Sequence, residues 1–191
     1  MKIILATQNS GKLKEFNSLA LGSELEFIAT PGNAVFPKET GNSFFENAFI
    51  KANYAFSLTG IPAMGDDSGL EVDALEGQPG VHSSRFSKEG TDTSNVNKLL
   101  KEMEGVKEKY RTARFKCCLV LITDKNAPVL RAEGLLEGKI SKETRGNLGF
   151  GYDPVFIPRG TSLHVAELEK HQKNLISHRA KAFKLLLSQL G

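Results

Sequence analysis

Residues 2–21 constrain the fold more tightly than any other stretch of this chain. Residues 2–7 form a compact, mostly apolar run that reads as a buried strand, and residues 8–11 read as a turn. Residues 12–21 then place Leu13, Phe16 and Ala20 on one face of a helix. A strand, a short loop and a helix in direct succession predict an α/β fold, and the first loop of such a unit is a common ligand site.

The same alternation continues. Residues 25–29 are a second strand candidate, followed by a loop rich in proline and glycine over 30–41. The helix expected over 43–58 has Ser43 and Glu46 at capping-box spacing, with Phe45, Ala48, Phe49, Ala52 and Phe56 at helical intervals. Further on, the pattern predicts a strand at 70–74, a helix at 93–104, paired strands at 112–123 and 129–136, and a short strand at 155–157. A single helix is expected over 174–190, carrying the stripe Ile176, Ala180, Phe183, Leu187 and Leu190.

With 191 residues, 40% of them hydrophobic, the chain has enough material for one core and is short for two, so a single domain over 1–191, lobed around a cleft, is expected. The formal net charge is +3 with acids and bases interspersed, a weak footprint for a nucleic-acid binder and a better one for a small anionic ligand. No stretch approaches the roughly 20 apolar residues of a membrane span, and the apolar start is short for a signal-peptide core, so a cytoplasmic protein without a membrane partner is expected. Cys117 and Cys118 are adjacent within an apolar run, point to opposite faces of a strand, and read as reduced core residues. The four histidines have no ligand-like spacing, which excludes a zinc site.

Several segments carry candidate chemistry. Gly65-Asp66-Asp67-Ser68-Gly69-Leu70 sets two adjacent carboxylates between glycines after the apolar run 61–64. Adjacent acids repel, so the pair is either a solvated turn or part of a site for a hard cation such as Mg²⁺. Thr7-Gln8-Asn9-Ser10-Gly11-Lys12 has the small polar residues, glycine and lysine of a phosphate cradle at a helix start. It lacks the glycine and the Ser or Thr of a Walker A loop, and an ordinary turn capped by Asn9 or Ser10 is the competing reading. Ser43, Asn47 and Lys51 draw a polar line along an otherwise Phe- and Ala-rich helix, which faces either a ligand or water. Glu39, in the preceding loop, is either a solvated acid or a metal ligand.

Gly149-Phe150-Gly151-Tyr152-Asp153-Pro154 interleaves aromatics, glycines and an acid. Phe150 suits stacking on a flat ring and Asp153 suits accepting hydrogen bonds from ring N–H groups, as a nucleobase requires, although a hydrophobic turn entering a strand has the same composition. Lys173 and Ser177-His178-Arg179 offer donors near the start of the last helix, or form a solvated basic turn.

Taken in order, these motifs, with Glu39-Thr40-Gly41, Phe44, Glu46-Asn47-Ala48, Pro79-Gly80-Val81 and Ser84-Arg85-Phe86, closely resemble the non-canonical purine nucleoside triphosphate pyrophosphatases, also called inosine triphosphate pyrophosphatases. The match spans nearly the whole chain. The resemblance implies an elongated α/β fold with a long central mixed sheet flanked by helices, two lobes around an active-site cleft, and a homodimer. It also implies Mg²⁺-dependent hydrolysis of ITP, dITP and XTP to the monophosphate and pyrophosphate. Position by position, it assigns Thr7, Gln8, Asn9, Ser10, Gly11 and Lys12 to the triphosphate, with Asn9 and Lys12 as the main side-chain contacts. Glu39 and Asp67 become Mg²⁺ ligands, Asp67 also accepts the proton of the attacking water, Asp66 supports the site, Lys51 meets phosphate charge and Ser68 contacts substrate. Phe150, Gly151, Tyr152, Asp153, Lys173, His178 and Arg179 form the base pocket.

The sequence departs from the family pattern at Gln8, where a small residue is common, and at Leu148, where a glycine commonly precedes the Gly-Phe-Gly-Tyr-Asp segment. Both departures bear on substrate preference more than on reaction type. A metal-dependent phosphatase acting on another metabolite and a nucleotide-binding module without catalysis are the competing functions; steeply salt-dependent binding would mark a nucleic-acid binder.

Overall fold

The structure is a computed structural model that describes residues 1–32 and 34–190. Asn33, within the 30–41 loop, and Gly191 lie outside the described residues. Among the described residues, six strands form one mixed sheet in the order β2-β1-β3-β4-β5-β6. The strands are β1 (Lys2–Ala6), β2 (Glu26–Ala29), β3 (Ala63–Val72), β4 (Thr112–Ile122), β5 (Leu130–Ile140) and β6 (Phe156–Pro158). β1 pairs in parallel with β2 and β3, whereas β5 and β6 are antiparallel. The helices are α1 (Ser10–Leu19), α2 (Phe44–Thr59), α3 (Asp92–Glu102), α4 (Lys170–Ile176) and α5 (His178–Leu187). The expected α/β class and the opening strand, loop and helix are present.

The chain divides into two compact units. The first contains Met1–Asp67, Cys117–Gly134 and Ala180–Gly191. Its core joins Ile3, Leu5, Met64, Leu119 and Leu121 to Phe16, Phe27 and Phe183, whose ring centroids lie 5.6 to 6.0 Å apart. Tilted and edge-on aromatic contacts of this kind add to the stabilisation from burial. Cys117 and Cys118 are both buried and unbridged, as expected, and burial pushes the Cys118 thiol up to about 11.

The second unit contains Ser68–Lys116 and Leu135–Arg179, around a core that includes Leu70, Leu99, Met103, Phe115 and Phe156. Arg111 is buried there, and its guanidinium donates to the carbonyls of Ile140, Met103 and Ser141 at 2.7 to 2.8 Å. Three such bonds offset much of the cost of burying the cation.

Three expectations need correction. Residues 65–69 are not a turn: β3 runs unbroken through them, and the strand expected at 70–74 begins seven residues earlier. Gly65 makes this possible, because a Cβ there would lie 1.9 Å from the Ala48 carbonyl oxygen of α2. The face that α2 buries carries Phe44, Asn47, Ala48, Lys51, Ala52 and Ala55. Phe49, assigned to the apolar face, is instead 37% exposed, because close approach to Gly65 demands alanines. Finally, the single helix expected over 174–190 is two, separated by buried Ser177 in extended conformation (φ −62°, ψ 151°).

Candidate functional site

In the first unit, the chemistry gathers around the end of β1, the buried face of α2 and the middle of β3. Successive strand residues point to opposite faces, so the adjacent acids of β3 have separate surroundings. Asp66 pairs through Oδ2 with Lys12 Nζ at 3.0 Å, and its Oδ1 accepts a weak bond from Cys117 Sγ at 3.5 Å. Asp67 pairs through Oδ1 with Lys51 Nζ at 2.8 Å, and its Oδ2 accepts from Asn47 Nδ2 at 3.3 Å. Both acids are buried, at 1% and 6% exposure, which removes the solvated-turn reading.

Lys51 also reaches Glu39 Oε1 at 2.9 Å, so one ammonium bridges two carboxylates. Burial opposes the Lys51 charge, yet Asp67 and Glu39 hold its pKa above the ordinary value. Burial pushes the Asp67 carboxyl up, outweighing the opposite pull of Lys51. A carboxylate with a raised pKa is a better proton acceptor. The polar line on α2 therefore faces inward at Asn47 and Lys51, and not into water.

The loop after β1 ends in the N-terminus of α1. Asn9 caps this helix: its Oδ1 accepts from the amides of Gly11 at 2.8 Å and Lys12 at 3.2 Å, while Thr7 Oγ1 accepts from the Asn9 amide at 3.1 Å. Gln8 and Ser10 are exposed. The first turn of α1 carries no acid, which leaves the positive end of the helix dipole open to an anion.

Among the described residues, no group of three or more His, Cys, Asp and Glu side chains could hold a metal ion. Two carboxylates that already share a cation nevertheless fit Mg²⁺, which binds through one or two carboxylates and completes its shell with phosphate oxygens and water.

In the second unit, Ser68 is half-buried on β3. The segment 149–153 is built around buried Asp153, whose Oδ2 accepts from the Phe150 amide at 3.0 Å and from Lys173 Nζ at 2.6 Å. Burial pushes the Asp153 carboxyl up against the pull of Lys173. Gly149 is required here: it has φ +80°, and a Cβ would lie 2.1 Å from Asp153 Oδ2. Lys173 Nζ and Arg179 Cζ lie 4.8 and 5.2 Å from the centroid of the Phe150 ring, within cation–π range. His178, 4% exposed, stacks on Phe115 with centroids 5.0 Å apart.

Two residues expected at the base have partners within the protein. Tyr152 is buried and donates its hydroxyl proton to the Ser83 carbonyl at 2.8 Å, and Asp153 Oδ2 is engaged by the Phe150 amide and Lys173. The sequence reading passed over Asp92, whose Oδ2 accepts from the Gly151 amide at 2.7 Å. An acid in the first turn of a helix is too common to single out. Leu148 is 40% exposed, and its amide donates to the Ala166 carbonyl at 3.0 Å.

A mixed α/β fold, an anion-receptive helix start and a cation bridging buried Asp67 and half-buried Glu39 together define a protein built to handle phosphorylated ligands. Comparison with known proteins makes this specific: the Ham1 family matches residues 3–189, and the chain belongs to that family. It is 47% identical over 193 residues to a dITP/XTP pyrophosphatase of Vibrio parahaemolyticus, covering 100% of this chain and 96% of that protein. The structure of a HAM1 protein from Coxiella burnetii matches with a TM-score of 0.89 at 42% identity, covering 100% of this chain and 98% of the other. The Staphylococcus aureus Ham1 protein matches with a TM-score of 0.85 at 33% identity, again over 100% of this chain and 98% of that one.

Proposed function

We propose that this protein hydrolyses ITP, dITP and XTP to the nucleoside monophosphate and pyrophosphate, which removes these nucleotides from the pool before they enter DNA or RNA. The observation that carries this reading is the Glu39–Lys51–Asp67 cluster beside the α1 loop, in a chain so similar over its full length to a dITP/XTP pyrophosphatase.

The triphosphate lies at the start of α1, where the positive end of the helix dipole and Lys12 neutralise it, and Lys51 meets further phosphate charge. Glu39 and Asp67 hold Mg²⁺, which supplies charge neutralisation on the triphosphate. Asp67 takes the proton of the attacking water as the water oxygen bonds to phosphorus and the anhydride bond between the first and second phosphates breaks, giving the monophosphate and pyrophosphate. Asp66 keeps Lys12 in place through the 3.0 Å ion pair. Ser68 contacts the substrate. Positioning and electrostatics of this kind supply most of the catalysis in phosphoryl transfer.

Phe150 stacks on the base, and Gly151, Tyr152 and Asp153 shape the turn that presents it. Lys173, His178 and Arg179 supply donors toward the carbonyl that hypoxanthine and xanthine carry where adenine has an amino group. A donor facing a donor in a buried site is costly, and sites built to hydrogen-bond their substrate discriminate by up to about 10⁴-fold or more. The enzyme is expected to act as a homodimer in the cytoplasm, where the nucleotide pool resides. Among the described residues, no helix is long and apolar enough to cross a membrane.

Hydrolysis of a nucleotide panel with Mg²⁺, scored for pyrophosphate, tests the reading. Pyrophosphate from ITP, dITP and XTP well above that from ATP and GTP is expected. Orthophosphate as the sole inorganic product would overturn it in favour of a phosphatase, and binding without turnover would leave only a nucleotide-binding module.

A further inference from the structure

Asn47 is fully buried on α2, at 0% exposure. A buried primary amide is costly unless its oxygen and nitrogen both find partners, and here each does. Oδ1 accepts from the Gly41 amide at 2.9 Å, and Nδ2 donates to Asp67 Oδ2 at 3.3 Å. The partners fix the orientation of the amide, since a backbone N–H calls for an oxygen and a carboxylate calls for an NH₂.

The two bonds join separate pieces of chain: the segment that carries Glu39 and the strand that carries Asp67. One turn along α2, Lys51 joins the same two pieces through Glu39 Oε1 and Asp67 Oδ1. Residues four apart share a helix face, so the two bridges lie one above the other. They differ in kind. Lys51 is a flexible cation for which phosphate oxygens compete, whereas Asn47 is short, neutral and closed in. The loop comes so near the helix only because residue 41 is glycine; a Cβ there would lie 2.7 Å from Asn47 Oδ1 and 2.6 Å from Glu46 Cβ.

We propose that Asn47 is a positioning residue that holds the Glu39 segment and the Asp67 carboxylate together, so that the two acids meet a divalent cation as a preformed pair. This rests on Glu39 and Asp67 being the metal ligands. Partners that orient metal ligands typically change metal affinity by about 10- to 100-fold when removed.

The test uses the full chain in two measurements: amide hydrogen exchange at Gly41 without metal, and Mg²⁺ binding by calorimetry with an ITP analogue whose α–β bridge is a methylene. Asn47→Ala, shown by thermal unfolding to be folded, should exchange Gly41 about tenfold faster and bind Mg²⁺ about tenfold more weakly. Asn47→Asp keeps an acceptor for Gly41 and should leave that exchange within about twofold of the parent. Should the alanine variant fail to fold, Asn47→Ser, whose hydroxyl is too short to span both partners, carries the same measurements.

Glu39→Ala is titrated alongside. Weaker Mg²⁺ binding in Glu39→Ala with parental affinity in folded Asn47→Ala overturns the positioning role alone. Parental affinity in both overturns the ligand reading and the positioning role with it. Parental Gly41 exchange in folded Asn47→Ala also overturns the role, because the removed oxygen would then have been holding nothing.

Discussion

Gly65→Ala offers a sharp test of how α2 and β3 are joined. The added methyl would lie 1.9 Å from the Ala48 carbonyl oxygen, 2.9 Å from its carbon and 3.0 Å from the Ala52 nitrogen. All three are backbone atoms of a helix, so no side chain can swing aside. Restoring an ordinary contact of 3.4 Å at the oxygen requires α2 to lift by about 1.5 Å. Overpacking of a close-packed interior costs roughly 1 to 3 kcal/mol, and the rigidity of this contact places the cost near the upper figure. A shift of that size along the helix normal would stretch the 2.8 Å Lys51–Asp67 contact beyond ion-pair range. Misplacement of catalytic groups by about 1 Å can cost on the order of 10²-fold in rate. Urea unfolding and steady-state ITP hydrolysis measure the two effects on one preparation. Gly60→Ala is the control: φ is +67° there with nothing within 4 Å of a Cβ, so strain of about 1 kcal/mol and parental turnover are expected. Parental urea midpoint and turnover in Gly65→Ala would refute the close contact from which the effect is worked.

The adjacent acids should respond unequally. Asp67→Asn should lower kcat by about 10³-fold, in the range of a lost general base, and Asp66→Asn by about tenfold; equal losses in steady-state kinetics would contradict the roles assigned to them. Phe150→Ala should raise the Michaelis constant for ITP by about tenfold with a smaller change in kcat, consistent with a lost base stack, and an unchanged constant would remove the ring from the base contact. Asp73 accepts from Thr112 Oγ1 at 2.6 Å and pairs with Arg114, and these contacts hold its carboxyl below the usual range. A depressed carboxyl contributes stability above its unfolded pKa and loses it as pH falls through the folded value, so Asp73→Asn should lose stability at pH 7 but little near pH 3. Thermal melts across that range measure the difference, and an equal loss at both pH values would contradict the linkage.

What was legible in the sequence followed local periodicity. β1 and α1, the capping-box start of α2, and the paired strands β4 and β5 all lie within a few residues of expectation, because apolar spacing and caps act over short distances. The failures share a cause in distant partners. Gly65 to Gly69 has the composition of a turn, yet it lies in the middle of a sheet because Lys12 and Lys51, far away in sequence, neutralise its acids. The apolar face of α2 was drawn through its phenylalanines, but Gly65 selects alanines. The break at Ser177 has no proline or glycine to announce it. Asn47 stood out only as one point of a polar line, and nothing near it in sequence shows that its amide spans two elements.

Adjacency, which makes the two aspartates look mutually hostile, is what separates them once they lie in a strand. The pleat turns consecutive side chains to opposite faces, so each acid acquires its own lysine from a different helix: Asp66 from the first turns of α1 and Asp67 from the buried face of α2. A turn would have left both acids in water at ordinary pKa values. A strand interior buries them, and burial is what raises the Asp67 carboxyl even with Lys51 in contact. The partners then set their roles. Asp66 is tied to the lysine at the anion-receptive helix start, so its influence passes through Lys12 to whatever that loop holds. Asp67 shares its cation with Glu39 and accepts from Asn47, and the proposed metal and proton roles fall to it for that reason. Two identical residues, one bond apart in sequence, thereby serve different ends because the sheet offers them different neighbours.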